Sequence, residues 1–400
     1  MKDFAMTQER LGADTEAVLL LCGRFGGERQ EPYAPLSPRE YGELARWLNG
    51  RSLRPCDLTG AGAADLLALA HEAGLERQRL AFLLGRGTAM ALALERWTRG
   101  GLWVIARGDP AFPRRLKQRF RHRAPALLYG AGDPALLETG GMAIVGSRDA
   151  SASALEFTRH VASRCAKAGM TVVSGGARGV DAAAMQGATQ AGGRCIGVLA
   201  ADLLKASVNR HNRVGIREGR LVLVSPFPPE AGFHAGHAMG RNRYIYALAD
   251  LALVVDAGLR TGGTWAGAVE NLRQGWVPMY VRSPGEGAGN AALIAQGARP
   301  FTAEDASRDP LASPLERRQR GQVRRLCVQA ACGARRWPVD GGRPCARPAP
   351  REGPGQGLAE AGVRDRRGGE AEAASALRPG PSGQAVLIAG HARTDHRQGP

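Results

Sequence analysis

Three short stretches in the middle of the chain combine glycines with groups that suit an anion. They are Gly146-Ser147-Arg148, then Ser174-Gly175-Gly176-Ala177-Arg178, then Thr261-Gly262-Gly263-Thr264. Glycine lets a backbone approach a ligand closely, and a helix that starts after such a turn offers unpaired N–H groups and a positive dipole end. Arginine adds a planar fork of donors that matches phosphate. One Gly-rich turn is more often only a tight turn. Three on one sheet edge, with Arg148 and Arg178 above it, favour phosphate.

A fourth stretch, Arg241-Asn242-Arg243, precedes the apolar run YIYALA. Its arginines can grip phosphate, and its asparagine a sugar or base edge. A solvated helix start fits the same spacing equally well. Phe227, Phe233, Tyr244 and Tyr246 concentrate aromatics in this segment, which suits stacking on bases, while Tyr244 and Tyr246 also suit partly buried packing.

Other chemistry finds less support. Neither G-x-G-x-x-G nor G-x-x-x-x-G-K-[ST] occurs, which removes the main props of a dinucleotide oxidoreductase and of a P-loop ATPase. His234 and His237 lie three apart with no cluster to complete a metal set, so packed or solvated histidines are expected, and no metal or cofactor. No catalytic residue is assigned.

The elements that must position these stretches are legible. MAIVG, TVVSG, CIGVLA, LVLVS, LALVVD and VPMYV are apolar throughout and alternate with helix-like segments. That pattern predicts an α/β fold, an extended Rossmann-like, doubly wound parallel sheet covered on both faces, over residues 136–302. Ligands then bind beyond the carboxyl ends of the strands, near the point where strand order reverses.

Residues 1–135 read as a helical N-terminal region with a linker. Ser37 is placed as an N-cap, with Pro38 at the first helical position, Glu40 at the capping-box position and Gly50 past the end. LWVIAR and APALLYG read as short strands within that linker. Residues 303–400 form a low-complexity C-terminal tail rich in Arg, Gly and Pro, expected to be disordered or the product of a shifted reading frame.

The chain has 400 residues and a formal net charge of +17, which favours polyanionic partners. From Ser307 onward there are 17 Arg, no Lys and 9 acidic residues, so a net +8 of that charge sits in the tail. Seven cysteines without a C-x-x-C pair suit reduced thiols. The N-terminus lacks the shape of a secretory signal and no run approaches a membrane span, so a cytoplasmic location and no membrane contact are expected.

AIVGSR, VVSGGARGVDAAAMQGATQAGG, GRLVLVSPFPPEAG, GRNRYIYALADLALVVDAG and TGGTWAGAVE follow one another in the order and approximate spacing of the DprA/Smf family. Over roughly residues 100–302 the chain resembles that family. The resemblance implies a Rossmann-like fold that binds single-stranded DNA, protects incoming DNA and helps load a RecA-type recombinase, often from a homodimer. It marks Arg148 as the match for the DNA-contacting arginine, with Arg241, Arg243 and Gly175-Gly176 as further pocket elements. Ser225-Pro226 replaces the family's usual Ser-Glu, and TGGT its commoner serine-glycine-serine version.

A nucleotide-processing enzyme or a nucleotide sensor is the alternative use of the same edge, either phosphoribohydrolase-like or with a phage-defence role. TGGT…E resembles the phosphoribohydrolase loop, but Glu270 falls one position late, a rotation of about 100° on a helix. Asp181 is therefore expected as a helix cap or loop brace, and Glu270 as a surface or packing-edge acid.

Overall fold

The structure, a computed structural model, describes residues 11–26 and 31–307. The tail from 308 to 400 lies outside the described residues.

A sheet of nine strands organises the chain: β1 Leu102–Ala106, β2 Leu127–Ala131, β3 Met142–Val145, β4 Val172–Ser174, β5 Cys195–Val198, β6 Leu221–Ser225, β7 Leu251–Val254, β8 Met279–Arg282 and β9 Arg299–Phe301. Their spatial order is β1-β2-β6-β5-β4-β3-β7-β8-β9. From β6 to β9 every neighbouring pair is parallel, while β2 runs antiparallel to β6 and to β1. The chain winds outward from β3 to β6, then returns to place β7 on the other side of β3. The β3/β7 boundary is thus the switch point, the expected ligand position in a doubly wound sheet.

The strands are apolar throughout because both faces are covered. In β3, Met142 and Ile144 face one core, and Ala143 and Val145 face the other. Leu251/Leu253 against Ala252/Val254 in β7 repeat that division, as do Leu221/Leu223 against Val222/Val224 in β6. Each fully buried Leu or Ile contributes about 1.5–3 kcal/mol relative to an exposed one.

Among the described residues, five α-helices form the N-terminal region: α1 Ala13–Cys22, α2 Pro38–Gly50, α3 Ala63–Ala68, α4 Arg77–Leu84 and α5 Gly87–Arg99. Side chains of α1, α2, α4 and α5 share one core with α7 Ala152–Lys167, α8 Val180–Gln190 and α9 Leu203–Val208. On the opposite face lie α6 Arg114–Phe120, α11 Ala235–Leu248, α12 Gly262–Gln274 and α13 Ala288–Ala295. Helix α10 Arg210–Arg217 buries no residue, and α14 Ala303–Ser307 buries Ala306. No helix among the described residues is long and apolar enough to cross a membrane.

The sheet is wider than residues 136–302. LWVIAR and APALLYG form strands, and both join the main sheet through β6, extending it beyond the parallel part. At the other end, residues 303–307 close the fold as α14.

Helix α2 starts as its sequence indicates, with Ser37 as N-cap and a complete capping box to Glu40. Gly50 is the last helical residue instead of the first beyond it. Glu40 also receives Arg79 Nη1 at 2.6 Å. That hydrogen bond chiefly, with two from Ser37, draws the Glu40 carboxyl down from 4.5 to about 2. A depressed folded value means stabilisation fully present above about pH 4.5 and lost as pH falls toward 2. Glu40→Gln is expected to cost about 1 kcal/mol at neutral pH, discounted for partial exposure, and to flatten this acid limb. Urea midpoints at pH 6 and pH 3 measure both; a wild-type-like acid limb in the variant would contradict the assignment.

Candidate functional site

The turn after β3 is built by its neighbours. Gly146 packs so closely on Val180 that a side chain there would strike it. Its carbonyl accepts the Thr264 hydroxyl at 2.9 Å, which ties the first turn of α12 to β3. The Ser147 carbonyl accepts Val180 N–H at 3.2 Å, and the Ser147 hydroxyl accepts Asp149 N–H at 3.1 Å. Gly179, with φ +78°, passes directly beneath the Ser147 and Arg148 carbonyls. Arg148 is therefore held at the tip of a turn pinned from two sides.

The Arg148 side chain is exposed and has no acidic partner among the described residues. Its guanidinium lies 5.2 Å from the ring centroid of Phe233, on the loop between β6 and α11. Phe233 is 62% exposed. Cation and ring together offer a charge for phosphate and a flat apolar face beside it.

The turn after β4 performs a different task. Ser174 is fully buried and donates to the Ile144 carbonyl at 2.7 Å, bracing β4 against β3. Gly175 is glycine for room: a Cβ there would overlap the Arg241 guanidinium and the Asp181 carboxylate. Gly176 is glycine for its φ of +66°. Arg178 is exposed and bonds Asp149 at 2.7 Å, so its charge on this edge is partly answered.

Arg241 does not face solvent. It is 4% exposed and pairs with buried Asp181 at 3.4 Å, leaving its Nε without a partner. Burial pushes the Asp181 carboxyl above its ordinary range, against the Arg241 charge and the backbone N–H groups of Ala177 and Gly175. Asp181 is thus a loop brace that draws α11 and the β4 turn together. Asn242 donates to the Gly263 carbonyl at 2.8 Å and so positions the start of α12. Arg243 is half-buried, donates to the Gly240 carbonyl at 2.9 Å and lies 5.6 Å from the Tyr244 ring.

The α12 N-terminus completes the edge. Thr261 is its N-cap without a side-chain cap bond, Gly262 has φ +75°, and both are exposed. No capping side chain thus occupies the N–H groups of the first turn, at the β7 side of the switch point.

Gly146, Gly175, Arg241, Asn242, Gly263 and Thr264 are thus joined in one framework, with Ser147 and Arg148 displayed upon it. Two expectations require correction. Arg241, read as a gripping arginine, is a buried strut, because the room left by Gly175 takes its guanidinium inward. Tyr244 and Tyr246 are buried core residues, since every residue from Tyr244 to Ala249 is buried. The exposed aromatic of this segment is Phe233 instead. Phe227 stacks on His237 at 4.1 Å, and that histidine belongs to no metal-binding cluster among the described residues. Sequence reasoning missed Arg260, an exposed residue at φ +55° just before Thr261; no local signal distinguishes it from any loop arginine.

A cleft of about 570 Å³ lies between α8 and α10, floored by Met185, Leu199 and Leu223. Of the site residues only Gly176 lines it, so the arginine edge and this cleft are separate features.

The sequence profile of DNA recombination-mediator protein A matches residues 103–310, just over half of the chain. The chain belongs to that family. Among curated relatives it is 32% identical over 188 residues to DNA processing protein DprA of Bacillus subtilis, covering 45% of this chain and 63% of that protein. It is 35% identical over 179 residues to Protein Smf of Escherichia coli, covering 44% and 48%. The chain thus matches about half to just under two thirds of these relatives' lengths. DprA of Streptococcus pneumoniae shares the fold of this family member, with a TM-score of 0.56 and 20% identity over 74% of this chain and 97% of that one.

Proposed function

We propose that this member of the recombination-mediator family binds single-stranded DNA along the β3/β7 edge. The observation that carries the reading is Arg148, exposed and without an acidic partner among the described residues, held against an exposed Phe233 beside the uncapped start of α12. A phosphate meets Arg148 and the α12 N–H groups, and a base lies on the Phe233 ring. Every base has a π-face, so such a site reads strand state more than sequence. Duplex DNA keeps its bases stacked on one another and gains only the phosphate contacts.

Family membership supports the larger role, in which the protein protects incoming strands and assists loading of a RecA-type recombinase, acting as a homodimer in the cytoplasm. We read the edge as a binder's. Asp181 is occupied by Arg241 and two backbone N–H groups, and Asp149 by Arg178. Nothing specific favours the nucleotide-processing or sensor alternative.

Competition decides the proposal. Labelled oligo-dT bound to the full chain should be displaced by unlabelled oligo-dT far more readily than by duplex of equal length, and not by nucleoside monophosphates at similar concentration. Equal displacement by duplex, or displacement by a mononucleotide, would overturn it.

A further inference from the structure

Glu230 lies three residues before Phe233 on the loop between β6 and α11, and it reaches to the N-terminal region. It accepts Arg96 Nε at 3.1 Å, Arg96 Nη2 at 3.3 Å and Trp97 Nε1 at 3.3 Å. Both donors sit at the end of α5. Trp97 is fully buried, packed edge-on against Tyr129 of β2 with centroids 5.3 Å apart, and Arg96 also bonds the Phe25 carbonyl at 3.3 Å. This anchor is stiff, because an indole locked in a core cannot follow a wandering loop.

The loop is held further by the buried Pro229, by the Phe227–His237 stack and by its backbone. Asp202 N–H donates to the Ala231 carbonyl at 2.9 Å and Leu204 N–H to the Pro229 carbonyl at 3.0 Å. Glu230 hydrogen-bonds this stretch, Pro228 to Phe233, to α5 through its side chain. Beyond Glu230 come Ala231, whose N–H and carbonyl are both hydrogen-bonded, and Gly232, before the exposed ring.

We propose that Glu230 is a positioning residue through which the N-terminal helical region fixes Phe233 beside Arg148 and so sets affinity for single strands without touching them. The proposal rests on the DNA-binding reading above. It assigns a task to α5, which contributes no residue to the proposed DNA site. Preorganising the ring removes the ordering cost that a free loop would carry into every binding event.

The test uses the full chain, Glu230→Ala, Phe233→Ala and the double variant, each titrated with labelled oligo-dT. Arg96 and Glu230 are substantially exposed, so loss of their pair costs little stability; Trp97 N–H also loses its acceptor, so a thermal melt checks that Glu230→Ala is folded. Glu230→Ala is expected to weaken binding roughly 5- to 20-fold, a part of what losing the stacked ring costs. In the Phe233→Ala background it should have no further effect, since nothing remains to position. Glu230→Gln, which keeps a hydrogen-bond acceptor for Trp97, should restore part of the affinity.

Hydrogen exchange of Phe227–His234 in the DNA-free protein should rise in Glu230→Ala while the strands stay protected. Additive losses in the cycle, unchanged affinity or unchanged loop exchange would each overturn the positioning role. Wild type that fails to bind oligo-dT at all would instead overturn the DNA reading, and this role with it.

Discussion

Gly175→Ala lowers stability by about 3–5 kcal/mol, with a melting temperature down by on the order of 10 °C. The new Cβ falls where the Arg241 guanidinium and the Asp181 carboxylate now lie, and neither can yield cheaply. Both are buried within the framework that joins the β4 turn to α11. Moving Arg241 aside leaves Asp181 as an uncompensated charge, and breaking a buried pair costs far more than the pair contributes when intact. Thermal denaturation of the variant measures the loss directly. The same substitution made on Arg241→Ala should cost much less, because the principal obstruction is gone. A loss below about 1 kcal/mol in the parent would show that the loop relaxes freely and that Arg241 is no strut.

Phe233→Ala weakens oligo-dT binding by roughly 5- to 150-fold, the equivalent of one base–aromatic stack worth about 1–3 kcal/mol. The ring is exposed on a loop, so its removal should leave the melting temperature within a degree or two of wild type. The dependence of affinity on salt should also stay the same, because no phosphate contact is removed. Loss of affinity with a reduced salt slope would mean that Phe233 acts only by holding Arg148. Unchanged affinity would place the bound strand elsewhere.

The contrast between Arg148 and Arg241 shows how far the residues alone reach. Both lie in short Gly- or Asn-associated motifs, and spacing treats them alike. Burial separates them, and burial depends on Gly175 and Asp181, which are 66 and 60 positions away from Arg241 in sequence. The parallel sheet was legible because each strand is apolar on both faces, a local property that needs no knowledge of its partner. The junction of β1 and β2 with β6 was not, since pairing is a non-local choice that neither segment encodes by itself.

Tyr244 and Tyr246 carried a readable sign of burial. The run YIYALA holds no charged residue over nearly two turns, which suits a helix face wholly inside the protein. Phe233 could be counted among the segment's aromatics but not singled out. Its exposure and its place under Arg148 follow from how the loop is tied down at Glu230, Asp202 and Leu204.

In the proposed complex Arg148 meets a phosphate of a single strand at the β3/β7 switch point. The most direct measurement is the salt dependence of oligo-dT binding for the full-length chain and for Arg148→Ala, with thermal melts to confirm equal folding. Loss of one phosphate contact should weaken binding at least several-fold at low salt and reduce the slope of log K against log salt by about 0.7. An Arg148→Ala protein that melts like wild type and binds with the same affinity and slope would contradict the account, and would move the DNA contacts to the arginines elsewhere in the chain.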